Sequence, residues 1–326
     1  MKNTVMIMMA TYNGEHYLRK QLESIQNQTW SEWQLYIQDD GSTDGTYSIL
    51  QEYADADPRI HIRRNPEKIH GSFTNFHILS NYCKTLKKCA YYCFADQDDV
   101  WFPKKLETMI IAFRGIPSDK AALVYADMAL INGQGKRISE SIDAQWKISG
   151  KNCWSFFWVH KVFGCNLMMN SFLFFSVPIL QVEDPRIQRL SHDNLYAKFA
   201  AVLGRIIYLP EATMEYRRSG KNVTADQKYT ISLGRILQRM FHLKDLARRH
   251  VKVYNHSLTT ISLLRQKNLT KAQRRFLNRN QEMLQKGGWH TVRELKKQHV
   301  NWGGNVENIS HELIIGLRLY IRYLDS

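Results

Sequence analysis

A chain of 326 residues, 44% apolar and 23% charged, is long enough for one large domain with an appendage or for two domains, and its composition is not that of a disordered or fibrous protein. Five cysteines, odd in number and without a Cys-x-x-Cys pair, argue against a disulfide framework or a zinc site and fit a reducing compartment. The net charge of +15 is uneven. Residues 1–227 hold 26 Lys and Arg against 24 Asp and Glu, and residues 228–326 hold 19 against 6, so a near-neutral body is expected to carry a basic tail that meets polyanions.

In chain order, Val5–Ala10 reads as a buried strand rather than a signal peptide, because the apolar run is short and no small-residue cleavage site comes after it. Tyr17, Leu18, Leu22 and Ile25 give helical spacing over Glu15–Gln28. Trp33–Gln38 predicts a strand, Asp44–Tyr53 a helix, Arg59–Arg63 a strand and Ser72–Lys84 a helix. Ala90–Ala95 predicts a strand, Pro103–Phe113 a helix with Pro in its first turn, Ala121–Ala126 a strand, and Leu190–Ala201 a further helix. The uncharged run Val162–Leu180 contains Asn166, Asn170 and Pro178, which favours buried strand and helix over a membrane span. In the tail, Ile231–Tyr254 and Leu313–Leu324 predict amphipathic basic helices. Strands alternating with helices imply an α/β fold whose mainly parallel sheet is covered by helices on both faces. Ligands bind such sheets beyond the carboxyl ends of the strands.

Acids cluster just past those strand ends, in Asp39-Asp40-Gly41-Ser42, in Asp96-Gln97-Asp98-Asp99 and at Asp127. Three carboxylates within four positions repel one another unless protons or a cation intervene, and oxygen-rich sites suit Mg²⁺ or Mn²⁺. The bland alternative for 96–99 is a solvated turn. At 39–44 one acid, Asp44, explains a turn and cap, leaving Asp39 and Asp40 as surplus. Thr11-Tyr12-Asn13-Gly14 offers a hydroxyl, an aromatic face and an amide, although an ordinary strand-to-helix turn uses the same residues. Asp193, next to His192, is a candidate general base on a helix, or else an exposed helical acid.

Taken together, Val5–Gly14, Gln26-Asn27-Gln28-Thr29, Asp39–Asp44 and Asp96–Trp101 with Pro103-Lys104-Lys105-Leu106 just beyond resemble the family 2 glycosyltransferases over about residues 4–225. Phe94–Trp101 looks most like the rhamnosyltransferases of bacterial cell-wall and capsular polysaccharide synthesis. The resemblance implies a GT-A (Rossmann-like) fold over 1–227, a basic helical region over 228–326, and inversion at the anomeric carbon. It implies that Thr11, Tyr12, Asn13 and one of Asp39 or Asp40 bind the nucleoside of the donor. Asp96 would lie near ribose and diphosphate, Asp98 would be the main metal ligand with Asp96 and Asp99 as further candidates, and Asp193 would be the base. Gly164, Cys165, Asn166 and His192 would line the acceptor side. The favoured donor is dTDP-rhamnose, with a UDP-sugar second, and the implied acceptor is a lipid-linked saccharide at the cytoplasmic face of the membrane. One departure stands out. Where relatives carry a histidine in a Tyr-Arg-x-His-x-x-Asn segment, this chain has Ser219 within Tyr216–Asn222, so either the metal is held by fewer protein ligands or Arg217, Arg218 or Lys221 neutralises the leaving group.

Two other classes compete. A nucleotidyltransferase also holds Mg²⁺ on strand-end acids, but it wants a Gly-rich, Lys- or Arg-bearing loop after the first strand, and Thr11–Glu15 is not one. A polyanion-binding or nucleic-acid-binding protein would explain the tail, yet its basic residues interleave with apolar ones and no nucleic-acid motif appears. The tail is expected either to bind an anionic membrane surface or to form a homo-oligomer interface.

Overall fold

Seven consecutive buried or nearly buried residues, Val5–Thr11, form the first strand (β1). It is continuous rather than alternating because both its faces are buried, and β2 (Trp33–Asp39) and β4 (Tyr91–Ala95) pair with its two edges in parallel. Such two-sided burial selects apolar residues at every position. β3 (Ile60–Arg64) closes the edge beyond β2, and α1 (Glu15–Gln26), α2 (Thr46–Ala56) and α3 (Ser72–Cys83) make the crossovers. The structure is a computed structural model and describes residues 3–149, 152–159, 162–218 and 243–325.

The chain continues through β5 (Val100–Trp101), α4 (Lys105–Ile111), β6 (Ala121–Asn132), β7 (Arg137–Ser139), α5 (Asp143–Trp146) and α6 (Cys153–Trp158). A 3-10 turn over Gly164–Asn166 leads into β8 (Leu167–Asn170), α7 (Ser171–Ser176), α8 (Pro185–Gln188), α9 (His192–Leu203) and β9 (Gly204–Arg218). The sheet runs β3-β2-β1-β4-β8-β6-β9-β5, with β7 on β6. β8 is antiparallel to both its neighbours, while β6 and β9 are parallel. The uncharged run 162–180 is therefore core. β6 runs six residues past the expected end at Ala126, because β9 pairs with it along its length through register shifts around Asp127. β9 comes directly after α9 without a loop. Gly204 makes this fit, since a Cβ there would lie 1.8 Å from the Ala121 carbonyl oxygen.

Contacts divide the chain into two compact units, Met1–Ala144 with Val162–Ala225, and Gln145–Lys161 with Asp226–Ser326. The second contains α6 and the helices α10 (Leu243–Leu264), α11 (Lys271–Lys286), α12 (Trp289–Lys297) and α13 (Asn305–Gly316). Residues 145–161 thus leave the first unit, a departure from a single cut at 227. Their aromatic residues explain it: Trp158 is buried against Tyr254 and donates its indole N–H to Asn280 at 3.0 Å, and the Phe157 carbonyl accepts from Ser257. Of the expected helix over 231–254, residues 231–242 lie outside the described residues. The expected helix over 313–324 is corrected: α13 ends at Gly316, Arg318 turns to φ 57°, and a short 3-10 turn covers Ile321–Tyr323. Ile314 and Tyr320 of its apolar stripe are buried within the unit, whereas Leu317 is exposed. Among the described residues no helix is long and apolar enough to cross a membrane.

Candidate active site

Parallel pairing of β1, β2 and β4 delivers three loops to one sheet edge, and polar side chains tie these loops together. Asn13 adopts φ 46°; its amide oxygen accepts from Thr43 N–H at 2.8 Å, and its own N–H donates to Ser42 Oγ at 2.9 Å. Gln97 binds both backbone groups of Tyr12, accepting from its N–H and donating to its carbonyl, each at 2.9 Å. A side-chain amide here imitates a strand neighbour and leaves the Tyr12 ring 55% exposed. Gly14 makes room for that clamp, because a Cβ there would stand 2.3 Å from Gln97 Oε1.

The two acids after β2 are buried and already hydrogen-bonded. Asp39 accepts from Thr11 Oγ1, Ser42 Oγ and the N–H groups of Gly41 and Ser42. Asp40 accepts from Asn65 Nδ2, His70 Nδ1 and Gly71 N–H. The acids after β4 are different. Burial and the charges of Asp98 and Asp193 push the Asp96 carboxyl up to about 7. Burial raises Asp98, and burial with the charges of Asp98 and Asp96 raises Asp99 further. One oxygen each of Asp96 and Asp99 and the Cys165 sulfur lie within 4.8 Å of one another. This repulsion is what a cation would relieve. Carboxylates suit a hard divalent ion, whereas the thiol does not. Asp99 is fully buried with one oxygen taken by Arg217 N–H, so the half-buried Asp96 and Asp98 are the acids open to a ligand.

Asp193 stands in the first turn of α9, where the helix dipole favours an acid, and burial raises its carboxyl above the usual range. It accepts from Asn194 N–H at 2.6 Å and Asn194 Nδ2 at 2.8 Å. His192 fixes this turn. Its ring lies 4.0 Å from Phe76 and 4.4 Å from Phe94, centroid to centroid, and a Cβ on Gly164 would fall 2.2 Å from its Nε2.

The family model of glycosyl transferase family 2 matches residues 6–173. The chain belongs to that family. Among family relatives, the dTDP-rhamnosyl transferase RfbG of Shigella flexneri is 39% identical over 103 residues, 31% of this chain and 35% of RfbG. The UDP-Glc:alpha-D-GlcNAc-diphosphoundecaprenol beta-1,3-glucosyltransferase WfgD of Escherichia coli is 29% identical over 128 residues, 39% of this chain and 47% of WfgD. The chain thus spans less than half the length of either relative. The crystal structure of S. aureus TarS 1–349 in complex with UDP covers 98% of this chain and 89% of that one, with a TM-score of 0.50 and 14% identity. The fold is that of the GT-A glycosyltransferases.

Measured against the family pattern, Tyr12 and Asn13 are exposed at the edge, and Asp96 and Asp98 sit half-buried beside them. Thr11, Asp39 and Asp40 are buried and bonded within the loops. The expected acceptor-side residues need correction: Gly164, Cys165, Asn166 and His192 are all buried, so they line no open surface as they stand. Asn166 donates to the Ala126 and Asp127 carbonyls and accepts from Lys105 Nζ and Thr213 Oγ1, which exhausts its amide. Arg217 is also buried. Its Nε donates to the Asp98 carbonyl at 2.7 Å and its Nη1 to the Asn132 carbonyl at 3.1 Å, so it braces the acidic turn from behind. Ser219 and Lys221 lie outside the described residues.

Two residues escaped sequence reasoning, Gln97 and Lys105. Lys105 is 1% exposed and holds the Cys165 carbonyl at 2.9 Å and Asn166 Oδ1 at 2.5 Å. Burial lowers it to about 8, against the charges of Asp99 and Asp96 that sustain it. Its signal was present in the sequence, a lysine in the apolar stripe Lys105, Leu106, Met109, Ile110.

Proposed function

We propose that this chain is an inverting glycosyltransferase of the cytoplasmic face, moving a sugar from a nucleoside-diphosphate donor to a hydroxyl of a growing, lipid-linked cell-surface polysaccharide. Residues 1–227 would carry the chemistry, and 228–326 membrane association or self-association. Rhamnose from dTDP-rhamnose is the favoured donor sugar, because a dTDP-rhamnosyl transferase is 39% identical over 103 residues; a UDP-sugar comes second. One observation carries the reading. His192, next to Asp193, packs its ring 4.4 Å from that of Phe94, two residues before Asp96, so a carboxylate suited to be a base lies beside the strand that ends in the acids suited to a donor diphosphate.

In this reading the exposed Tyr12 ring stacks on the nucleobase. Thr11, Asn13, Asp39 and Asp40 shape the loops around the nucleoside. Asp96 and Asp98 hold a divalent cation, Mg²⁺ or Mn²⁺, which when bound neutralises the charge developing on the departing nucleoside diphosphate. Arg217 fixes the backbone that carries those acids, and Lys105 fixes Cys165 and Asn166. Asp193 takes the proton of the acceptor hydroxyl as its oxygen attacks the anomeric carbon in line, so no covalent enzyme nucleophile is required. Donor hydrolysis compared across dTDP-rhamnose, UDP-glucose, UDP-galactose, UDP-N-acetylglucosamine and GDP-mannose tests the assignment. Turnover of dTDP-rhamnose well above the rest supports it. Preference for another sugar removes rhamnose, and hydrolysis of none removes the donor site.

A further inference from the structure

The second unit contains a cleft of about 770 Å³ lined by Lys244, Lys286, Arg318 and Arg322, with Gln285, Leu319 and Ile321. Four cations meet in one concavity. A volume of this size lies within the usual range of small-ligand sites, about 300–1,000 Å³. Helix C-termini attract cations, and α11 and α13 both end here, which accounts for some of this charge. It does not account for Lys244, which belongs to neither of those two helices. The nearby acids are few. Lys286 pairs with Glu282 at 2.8 Å and Asp245 lies near Arg248 at 4.0 Å, while no ion pair to Lys244, Arg318 or Arg322 is present among the described residues.

The backbone supplies a second, independent observation. α13 closes with a Schellman turn: Leu319 N–H donates to the Ile314 carbonyl at 3.0 Å and Arg318 N–H to the Ile315 carbonyl at 3.1 Å. The residue that turns left-handed in this motif is usually glycine. Here it is Arg318, at φ 57°, a conformation disfavoured for a residue with a Cβ. The turn is anchored just beyond by buried Tyr320, whose hydroxyl donates to the Leu284 carbonyl at 2.7 Å. The Arg318 guanidinium lies along Gly288, where a Cβ would sit 3.2 Å from its Nη2. A strained residue retained where glycine would serve better points to a use for its side chain, and this side chain faces the cleft.

We propose that this cleft binds a phosphate-bearing ligand of diphosphate size, held by Arg318 with Lys244 and Arg322. Guanidinium groups match phosphate oxygens by paired hydrogen bonds, and the apolar Leu319 and Ile321 accommodate what the phosphate carries. The site is built wholly from residues of the second unit and does not depend on the donor reading.

The test uses the full chain in EDTA, which denies diphosphate the metal it would need at the acidic edge. Inorganic pyrophosphate is titrated by calorimetry, and binding to phosphatidylglycerol and phosphatidylcholine vesicles is measured by flotation. Wild type should bind pyrophosphate saturably and more weakly as salt rises. Arg318→Gly should weaken that binding about tenfold or more while thermal stability stays level or rises, because glycine relieves the left-handed turn. Binding to phosphatidylglycerol vesicles alone, lost in the same variant, supports the site and identifies its phosphate as a lipid headgroup. Failure of both probes, or equal binding by wild type and Arg318→Gly, overturns it. Arg322→Gln, which leaves the turn untouched, must weaken binding in the same direction, and a variant that binds normally overturns the assignment as well.

Discussion

Replacing Asp193 by asparagine separates chemistry from structure at the proposed base. The side chain keeps its shape, and its oxygen can still accept from Asn194 N–H and Nδ2, now at 2.6 and 2.8 Å. What disappears is the proton acceptor. Loss of a general base costs about 10²–10⁴ in rate, or about 3–5 kcal/mol of transition-state stabilisation. Stability should move the other way. Burial raises Asp193 above its ordinary value, so the folded state binds this proton more tightly than the unfolded chain. Its contribution is therefore most favourable at low pH and declines as pH rises from about 4 through the folded value. Asparagine carries no charge to bury, so at neutral pH the variant should melt at or above the wild-type temperature. In wild type, the rate should fall as pH drops through a limb lying above the ordinary carboxylate range, and the variant should lack that limb. Steady-state kinetics, nucleotide titration and a melting curve on one preparation decide the matter. Nucleotide affinity lost in step with turnover, or a lower melting temperature, would refute the reasoning.

Asp98→Asn should abolish most transfer without lowering the melting temperature, since it relieves repulsion among Asp96, Asp98 and Asp99; near-normal turnover in EDTA would remove the metal from the account. Lys105→Met leaves the buried Cys165 carbonyl and Asn166 Oδ1 without their donor and should cost about 2–4 kcal/mol, a drop on the order of 10 °C by scanning calorimetry. A shift within about 2 °C, the effect of a surface change, would show that the lysine is not needed there. Gln97→Ala removes two hydrogen bonds to Tyr12 and should raise the donor KM about fivefold with kcat little changed. Gly14→Ala, by displacing the same amide, should reproduce that effect, and a normal KM in both variants would dismiss the clamp.

Much of this was legible in sequence because it depends on local pattern. β1, β2 and β4 are apolar runs ended by polar loops, and each falls within a residue or so of its expected bounds. The long-range features were not legible. Nothing in the spacing of Asp96-Gln97-Asp98-Asp99 says that the glutamine would bind the backbone 85 residues earlier. Nor does a lysine close to a proline announce that it will be buried under β9, although its place in an apolar stripe was a clue. The terminal helix was overextended because Leu313–Leu324 keeps helical spacing through a turn at which Arg318 adopts a conformation no periodicity encodes. The aromatic stretch 154–158 forms a helix that carries no expectation from the sequence, and its pattern does not name the unit in which it packs.

The three acidic strand ends look alike in sequence, and their surroundings separate them. Asp39 receives four hydrogen bonds, Asp40 three, and Asp127 is held by Ser141 and the N–H groups of Met128, Ile142 and Asp143. Each of these carboxylates is stabilised by donors that the fold brings to it, and its work is to hold a loop. Asp96 receives the Cys165 thiol and Asp98 its own backbone N–H, so the charge after β4 is left under-compensated at a half-buried edge. Buried charge without donors is costly. Behind these poorly bonded acids, Arg217 holds the Asp98 carbonyl, and buried Lys105 holds the Cys165 carbonyl and Asn166. In the proposed reading, the front of the acidic turn is where a cation and a diphosphate would be held.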